Sequence, residues 1–225
     1  CRGKVLFFGE DPALDVFPRE VSAQGGGNRF TASVNGVEEE FFVPLPGRHN
    51  VVNSLSAIAV GVEMGLDLAS VRKGLSGASL TAMRLEILRL DDLTILNDAY
   101  NANPSSTGAA LQTLAELGGE GRKIAVLGDM LELGEKSRQG HREVGRWALE
   151  AGVDLLAAVG SLAAHIVDGA LEAGMPSAKI EHFGTAPEAA VGLKKSIKPG
   201  DVILVKGSRG MKMEEFIKYL REDNG

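Results

Sequence analysis

Residues 93–129 read LTILNDAYNANPSSTGAALQTLAELGGEGRKIAVLGD. Two strand-like runs, LTIL and IAVL, bracket a segment with helical character over 105–117. The same alternation continues to the end of the chain. Strand-like runs stand at DLLAAVG (154–160), KIEHF (179–183) and DVILVKG (201–207), with helix-like segments near 138–151, 161–173, 186–195 and 213–221. Strands alternating with helices, and apolar on both faces, predict an α/β domain with a mostly parallel sheet covered on both sides. In such open sheets ligands bind beyond the carboxyl ends of the strands. The loops to search are therefore NDAYNANPSS (97–106), GDMLELGEKS (128–137), GSLAAH (160–165) and KGSRGMK (206–212).

The segment before this pattern reads differently. KVLFFG (4–9), RFTASV (29–34) and EEFFVPL (39–45) read as β-strands, with AQGGGN (23–28) as a tight connection. Val52, Leu55, Ile58, Ala59 and Val62 recur at helical spacing, and Gly65 supplies a stop. A second short helix is expected near 68–75. The expected division is 1–82, a β-rich segment with two helices, and 83–225, the α/β domain.

Composition narrows the chemistry. The net charge of −6 and the lack of a Lys/Arg run argue against nucleic acid and anionic membrane as partners. The single cysteine, Cys1, excludes an intramolecular disulfide and fits a reducing cytoplasm. No apolar run reaches the roughly 18–20 residues of a membrane helix, and CRGKVLFFGED does not read as a signal peptide. The first residue is not Met, which is compatible with a fragment. There is no G-x-G-x-x-G, no G-x-x-x-x-G-K-[ST] and no G-x-S-x-G. The four histidines lack metal-ligand spacing, so no metal site is expected.

Four groups of residues carry chemistry. In NDAYNANPSS, Asn103-Pro104 reads as a turn, with Asn103 or Ser105 capping the following helix. Capping leaves Asp98, Tyr100 and Asn101 unexplained. Asp98 ends a strand, where an acidic side chain can accept both hydroxyls of a ribose. In PGRHNVVNSLSA (46–57), Asn50 reads as an N-cap, while Asn53 sits one turn on along an apolar helix. Two amides on one face could read the edge of a base. Arg84, at the join of the two regions, is either a salt-bridge partner or a phosphate ligand. Lys206, Ser208 and Arg209 end the last strand. Cations at a helix start oppose its dipole, or they hold an anion such as a carboxylate. Asp129, Glu132 and Glu135 read as a solvated acidic loop.

PLPGRHNVVNSLSAIAV (44–60), MRLEIL (83–88), NDAYNANPSS, AVLGDMLELGEKSRQGH (125–141) and VILVKGSRGMKME (202–214), in this order, resemble the Mur ligase family. The resemblance runs from about Phe41 to Phe216. YNANP and GDMLELGE favour the branch that joins D-Ala-D-Ala to UDP-N-acetylmuramoyl-tripeptide for peptidoglycan. The resemblance implies a Rossmann-like C-terminal ligase domain, preceded by the end of a P-loop ATPase central domain. It implies ATP as cosubstrate, Mg2+ with its ligands upstream, an acyl-phosphate intermediate, and a cytoplasmic, monomeric enzyme. The family's P-loop, its metal-binding Glu and His and its carbamylated Lys match nothing in this chain, so the chain by itself is expected to be inactive. Residue by residue, Asn50 and Asn53 resemble the adenine-side residues and Arg84 the arginine that reaches the ATP phosphates. Asp98 resembles the ribose-binding acid, with Tyr100 and Asn101 beside the nucleotide. Lys206, Ser208 and Arg209 match positions that hold the incoming amino acid, and are assigned to the dipeptide carboxylate, with Asn103 and Ser105 as further substrate contacts. The alternatives are a non-catalytic ligand-binding domain, or another ligase of the superfamily such as a folylpolyglutamate-synthase-like enzyme.

Overall fold

The computed structural model describes residues 5–79, 82–118 and 121–222. Cys1, and Lys4 of the first strand-like run, lie outside the described residues. The chain forms two compact units, Cys1–Leu80 and Thr81–Gly225.

The first unit is an antiparallel sheet of β1 (Val16–Gln24), β2 (Gly27–Val34) and β3 (Val37–Val43), with helices α1 (His49–Glu63) and α2 (Leu68–Ser76). Gln24 pairs with Gly27 and Val34 with Val37, so each hairpin turns on two residues. Gly25-Gly26 and Asn35-Gly36 all have positive φ, as the favoured two-residue hairpin turns require. Phe30, Ala32 and Val34 of β2 alternate inward, with Phe41 and Val43 of β3 beside them. Phe30 stacks on its cross-strand partner Phe41, ring centroids 5.7 Å apart. Val51, Leu55 and Ile58 of α1 pack against this face.

KVLFFG is not a strand over its described residues. Phe7 and Phe8 are exposed, and the backbone there makes only an isolated bridge from Phe8 to Val16. The first strand is instead VFPREVSAQ. Its Pro, its charges and a register slip between Pro18 and Val21 hide the period-2 signal. Hairpin pairing to β2 decides its conformation, not its own hydrophobicity.

The second unit holds a six-stranded sheet in the order β4-β5-β9-β6-β7-β8. The strands are β4 (Glu86–Leu90), β5 (Leu93–Asp98), β6 (Lys123–Gly128), β7 (Leu155–Val159), β8 (Ile180–Phe183) and β9 (Val202–Lys206). All neighbours run parallel except β4, which pairs antiparallel to β5 at the edge. The parallel strands and their helices follow the sequence pattern closely. Strand β4 begins inside MRLEIL, which carried no separate strand signal, and runs on to Leu90. The helices are α3 (Pro104–Leu117), α4 (Ser137–Glu150), α5 (Ala164–Glu172), α6 (Ala186–Leu193) and α7 (Glu214–Glu222).

Ile95, Ile124, Val126, Ala157, Ile203 and Val205 form one core with α6 and α7. The intervening strand residues Leu96, Ala125, Leu127, Leu156, Ala158 and Leu204 point the other way and are equally buried. Strands β5, β6 and β7 feed α3, α4 and α5, which pack in sequence, α3 on α4 and α4 on α5. Among the described residues, no helix is long and apolar enough to cross a membrane.

Helices α4 and α5 touch backbone to backbone. A Cβ on Gly145 would lie 2.0 Å from the Ile166 carbonyl oxygen, and one on Gly169 would lie 2.0 Å from that of Arg142. No side-chain adjustment relieves such a contact, because the obstacle is main chain. Gly145→Ala is expected to destabilise the second unit by about 2–3 kcal/mol, read as a lowered midpoint in urea unfolding.

Candidate functional site

The register of the central strands assembles the site. Asp98 at the end of β5 pairs with Lys206 at the end of β9, which pairs in turn with Leu127 near the end of β6. β9 lies between strands that precede it in the chain, so its loop enters between theirs. Strand order reverses at this point, which is where open α/β sheets bind ligands.

Lys206 sits in the middle of this edge and is only 3% exposed at its side chain. Its Nζ donates to Asp98 Oδ2 (2.5 Å) and to the Asn101 carbonyl (2.8 Å). Burial pulls the ammonium below the ordinary lysine range, and the Asp98 carboxylate opposes that pull. Asp98 accepts a second bond at Oδ1, from the Leu85 N–H (3.1 Å).

That second bond fastens a bent segment. Met83 (φ 63°) and Leu85 (φ 52°) both adopt the left-handed region, although neither is glycine. Each such residue costs on the order of 1–2 kcal/mol. The Tyr100 N–H donates to the Met83 carbonyl (3.1 Å). Glu86 Oε2 accepts from the Met83 N–H and from Asn97 Nδ2. Arg84, between the two left-handed residues, is exposed, with its guanidinium 4.3 Å from the centre of the Tyr100 ring.

The rest of NDAYNANPSS builds a helix start. Asn103 Oδ1 accepts the Ser106 N–H (2.8 Å), Ser106 Oγ accepts the Asn103 N–H (3.2 Å), and Pro104 is the first helical residue. Asn103 is thus the cap, and Ser105 stands exposed one residue further on.

Beyond Lys206 the chain turns through Ser208 and Arg209. Ser208 is buried. Its Oγ accepts the Leu131 N–H (2.8 Å) and donates to the Ala102 carbonyl (3.4 Å), tying three loops together. Arg209 is 55% exposed at its side chain and donates to Glu214 Oε1 (2.7 Å). Its Nη1 also lies 3.8 Å from the Met83 sulfur. The edge thus has buried anchors, Asp98, Lys206 and Ser208, beneath exposed groups, Arg84, Tyr100, Asn101 and Arg209.

In the first unit Asn50 is not a helix cap. Arg48 holds the cap position of α1 without a side-chain cap bond, and Asn50 lies inside the helix. Asn50 is buried and donates from Nδ2 to the Pro46 carbonyl (2.7 Å). Its Oδ1 accepts from Nδ2 of Asn53 (3.3 Å), whose residue is exposed. The two amides do share one face, and the outer is oriented by the inner.

A model of the Mur ligase glutamate ligase domain matches residues 83–209, more than half of the chain. The chain belongs to the Mur ligase family. It is 38% identical over 238 residues to the UDP-N-acetylmuramoyl-tripeptide–D-alanyl-D-alanine ligase of Bacillus subtilis, covering 98% of this chain and 51% of that protein. The enzyme of the same name from Escherichia coli is 37% identical over 212 residues, covering 93% of this chain and 45% of that protein. A crystal structure of MurF from Acinetobacter baumannii superposes with a TM-score of 0.87 at 32% identity, over 96% of this chain and 46% of that one. This Mur ligase chain therefore spans about half the length of the curated relatives it matches.

The loop after β6 was read from sequence as solvated and acidic. Glu132 and Glu135 are exposed, but Asp129 is buried and accepts the Ala163 N–H at Oδ1 (2.7 Å). It anchors the start of α5. The same loop of the Mur ligase chain depends on His141, for which the sequence held no signal. His141 is fully buried, and its Nε2 accepts the Met130 N–H (2.9 Å). Its Nδ1 therefore carries the proton and donates to the Ser137 carbonyl (2.7 Å). Burial holds the imidazole below its ordinary value of 6.5, outweighing the nearby Asp129 charge. Among the described residues, no group of three or more His, Cys, Asp or Glu is placed to hold a metal ion.

The His141 shift sets a pH dependence. Its folded value is depressed, so the stability it confers is complete above the unfolded value of 6.5 and is lost as pH falls through the folded one. Unfolding free energy should fall as pH drops below 6.5, by up to about 1.4 kcal/mol per pH unit from this group. His141→Gln, which keeps an acceptor without a titration, should flatten that part of the profile.

Proposed function

We propose that this chain serves an ATP-dependent carboxylate–amine ligase that joins D-Ala-D-Ala to UDP-N-acetylmuramoyl-tripeptide through an acyl phosphate. The observation that carries this reading is the exposed Arg84–Tyr100–Asn101–Arg209 edge over its buried anchors. The edge lies in a chain 38% identical to a ligase of that name. The donor set fits an anionic nucleotide: two exposed guanidiniums stand on the ligand-binding edge of a parallel sheet. The acidic groups do not gather for Mg2+, so no step is assigned to a metal held by the described residues.

In this reading each side chain has a limited task. Arg84 neutralises phosphate oxygens with a planar fork already set by its stacking on Tyr100. Asp98 accepts ribose hydroxyls, with Tyr100 and Asn101 beside the nucleotide. Arg209 takes the carboxylate of the incoming dipeptide and leaves its amine free to attack the activated carboxyl group. Ser208 fixes the loop that carries Arg209, and Ser105 lies alongside as a further substrate contact.

Steady-state kinetics of the full-length enzyme test the assignment. Asp98→Ala should raise the KM for ATP, and an unchanged value removes the ribose role. Arg209→Ala should lower kcat/KM for D-Ala-D-Ala by about 10–100-fold while affecting ATP much less, as loss of a charge-assisted bond to one substrate does. The reverse ranking rejects the dipeptide role. The 225-residue chain alone should give no ligation product in the same assay.

A further inference from the structure

Lys206 follows four apolar residues, Val202–Val205, at the end of a strand buried on both faces. A lysine ammonium in such a place is not there for stability alone, because a buried ion pair seldom outperforms an apolar pair of equal volume. What the pair does supply is geometry. The Lys206 Nζ fixes Asp98 by one carboxylate oxygen and the loop after β5 by the Asn101 carbonyl. The other Asp98 oxygen holds the Leu85 N–H, and the same loop donates the Tyr100 N–H to the Met83 carbonyl. Met83 and Leu85 are the two left-handed residues on either side of Arg84. Non-glycine residues keep that conformation only where their surroundings impose it. Both restraints lead back to Lys206, and Arg84 is the one exposed side chain they set in place, over the Tyr100 ring.

We propose that Lys206 is a positioning residue that acts through Asp98 and the Asn101 carbonyl to present Arg84, and does not itself bind the dipeptide carboxylate. The proposal rests on the reading of Arg84 as a phosphate-binding group. Lys206 is buried, and its ammonium is engaged by two protein acceptors, Asp98 Oδ2 and the Asn101 carbonyl. Residues 97–101 and 206 meet at its ammonium, and residues 83–85 join them through Asp98 Oδ1 and the Tyr100 N–H.

The test compares full-length wild type, Lys206→Met and Arg84→Ala. Amide hydrogen exchange at Leu85 reports the anchor with no reference to activity. In Lys206→Met it should accelerate by at least about tenfold, as local opening does when its restraint is removed. The KM for ATP should rise by about tenfold in both variants, while the KM for D-Ala-D-Ala stays within about twofold of wild type. A merely structural lesion would lower kcat for every substrate without this split. Unchanged Leu85 exchange overturns the proposal. So does a rise confined to the dipeptide KM, which would make Lys206 a ligand. Faster exchange with an unmoved ATP KM, where Arg84→Ala does raise it, overturns the link to Arg84. An Arg84→Ala enzyme with unchanged ATP KM overturns the proposal through the reading beneath it, a failure visible before Lys206 is altered. If Lys206→Met does not fold, Lys206→Gln, which removes the charge but keeps a polar end and leaves Asp98 in place, takes the same measurements with the same expected and overturning results.

Discussion

The ion pair between Lys206 and Asp98 joins the ends of two parallel strands that lie 108 residues apart in sequence and side by side in the sheet. Neither charge is tolerable alone at that depth, since each would sit desolvated without a counter-charge. The pairing holds only if β9 inserts between β5 and β6 in this register. A slip of β9 by one residue would turn Lys206 to the opposite face, away from Asp98. The arrangement of the binding edge therefore depends on a single alignment of β5 and β9, and the surrounding loops are built on it.

From that alignment the loops fall into place by hydrogen bonding. Ser208 bonds to Leu131 and Ala102, so the loops after β9, β6 and β5 share one hydroxyl. Asp129 accepts from Ala163 and draws in the loop after β7. His141 holds Met130 from the first turns of α4. Each of these polar side chains is buried, and each satisfies a main-chain group that would otherwise be stranded without a partner. Above them stand the exposed side chains of Arg84, Tyr100, Asn101 and Arg209.

The first unit follows a separate logic. Its sheet is antiparallel, turned by two tight hairpins, and covered by α1 and α2 through one core. Half of its strand residues are consequently polar, and its signal in the sequence is weaker. VFPREVSAQ forms a strand through pairing with β2, while the more hydrophobic stretch before it does not. Asn50 shows the same effect on a smaller scale. Its residue type suits a helix cap, yet the cap of α1 is Arg48, two residues earlier, and the amide turns back to Pro46.

The primary sequence determined the alternating strands and helices of 93–222, because runs apolar on both faces have only one low-energy arrangement: a parallel sheet between helices. It also marked the loops that carry Asp98, Arg84 and Arg209, since polar clusters at strand ends resist explanation as turns, and its motifs were enough to mark the family. Tertiary structure alone decided which of those polar residues stand exposed and which bond to one another. Asp98, Lys206 and Ser208 look as available as Arg209 when read along the chain. Their partners lie in other loops, and burial and hydrogen bonding are properties of the assembled edge, set by strand order and register over distances that no local pattern spans.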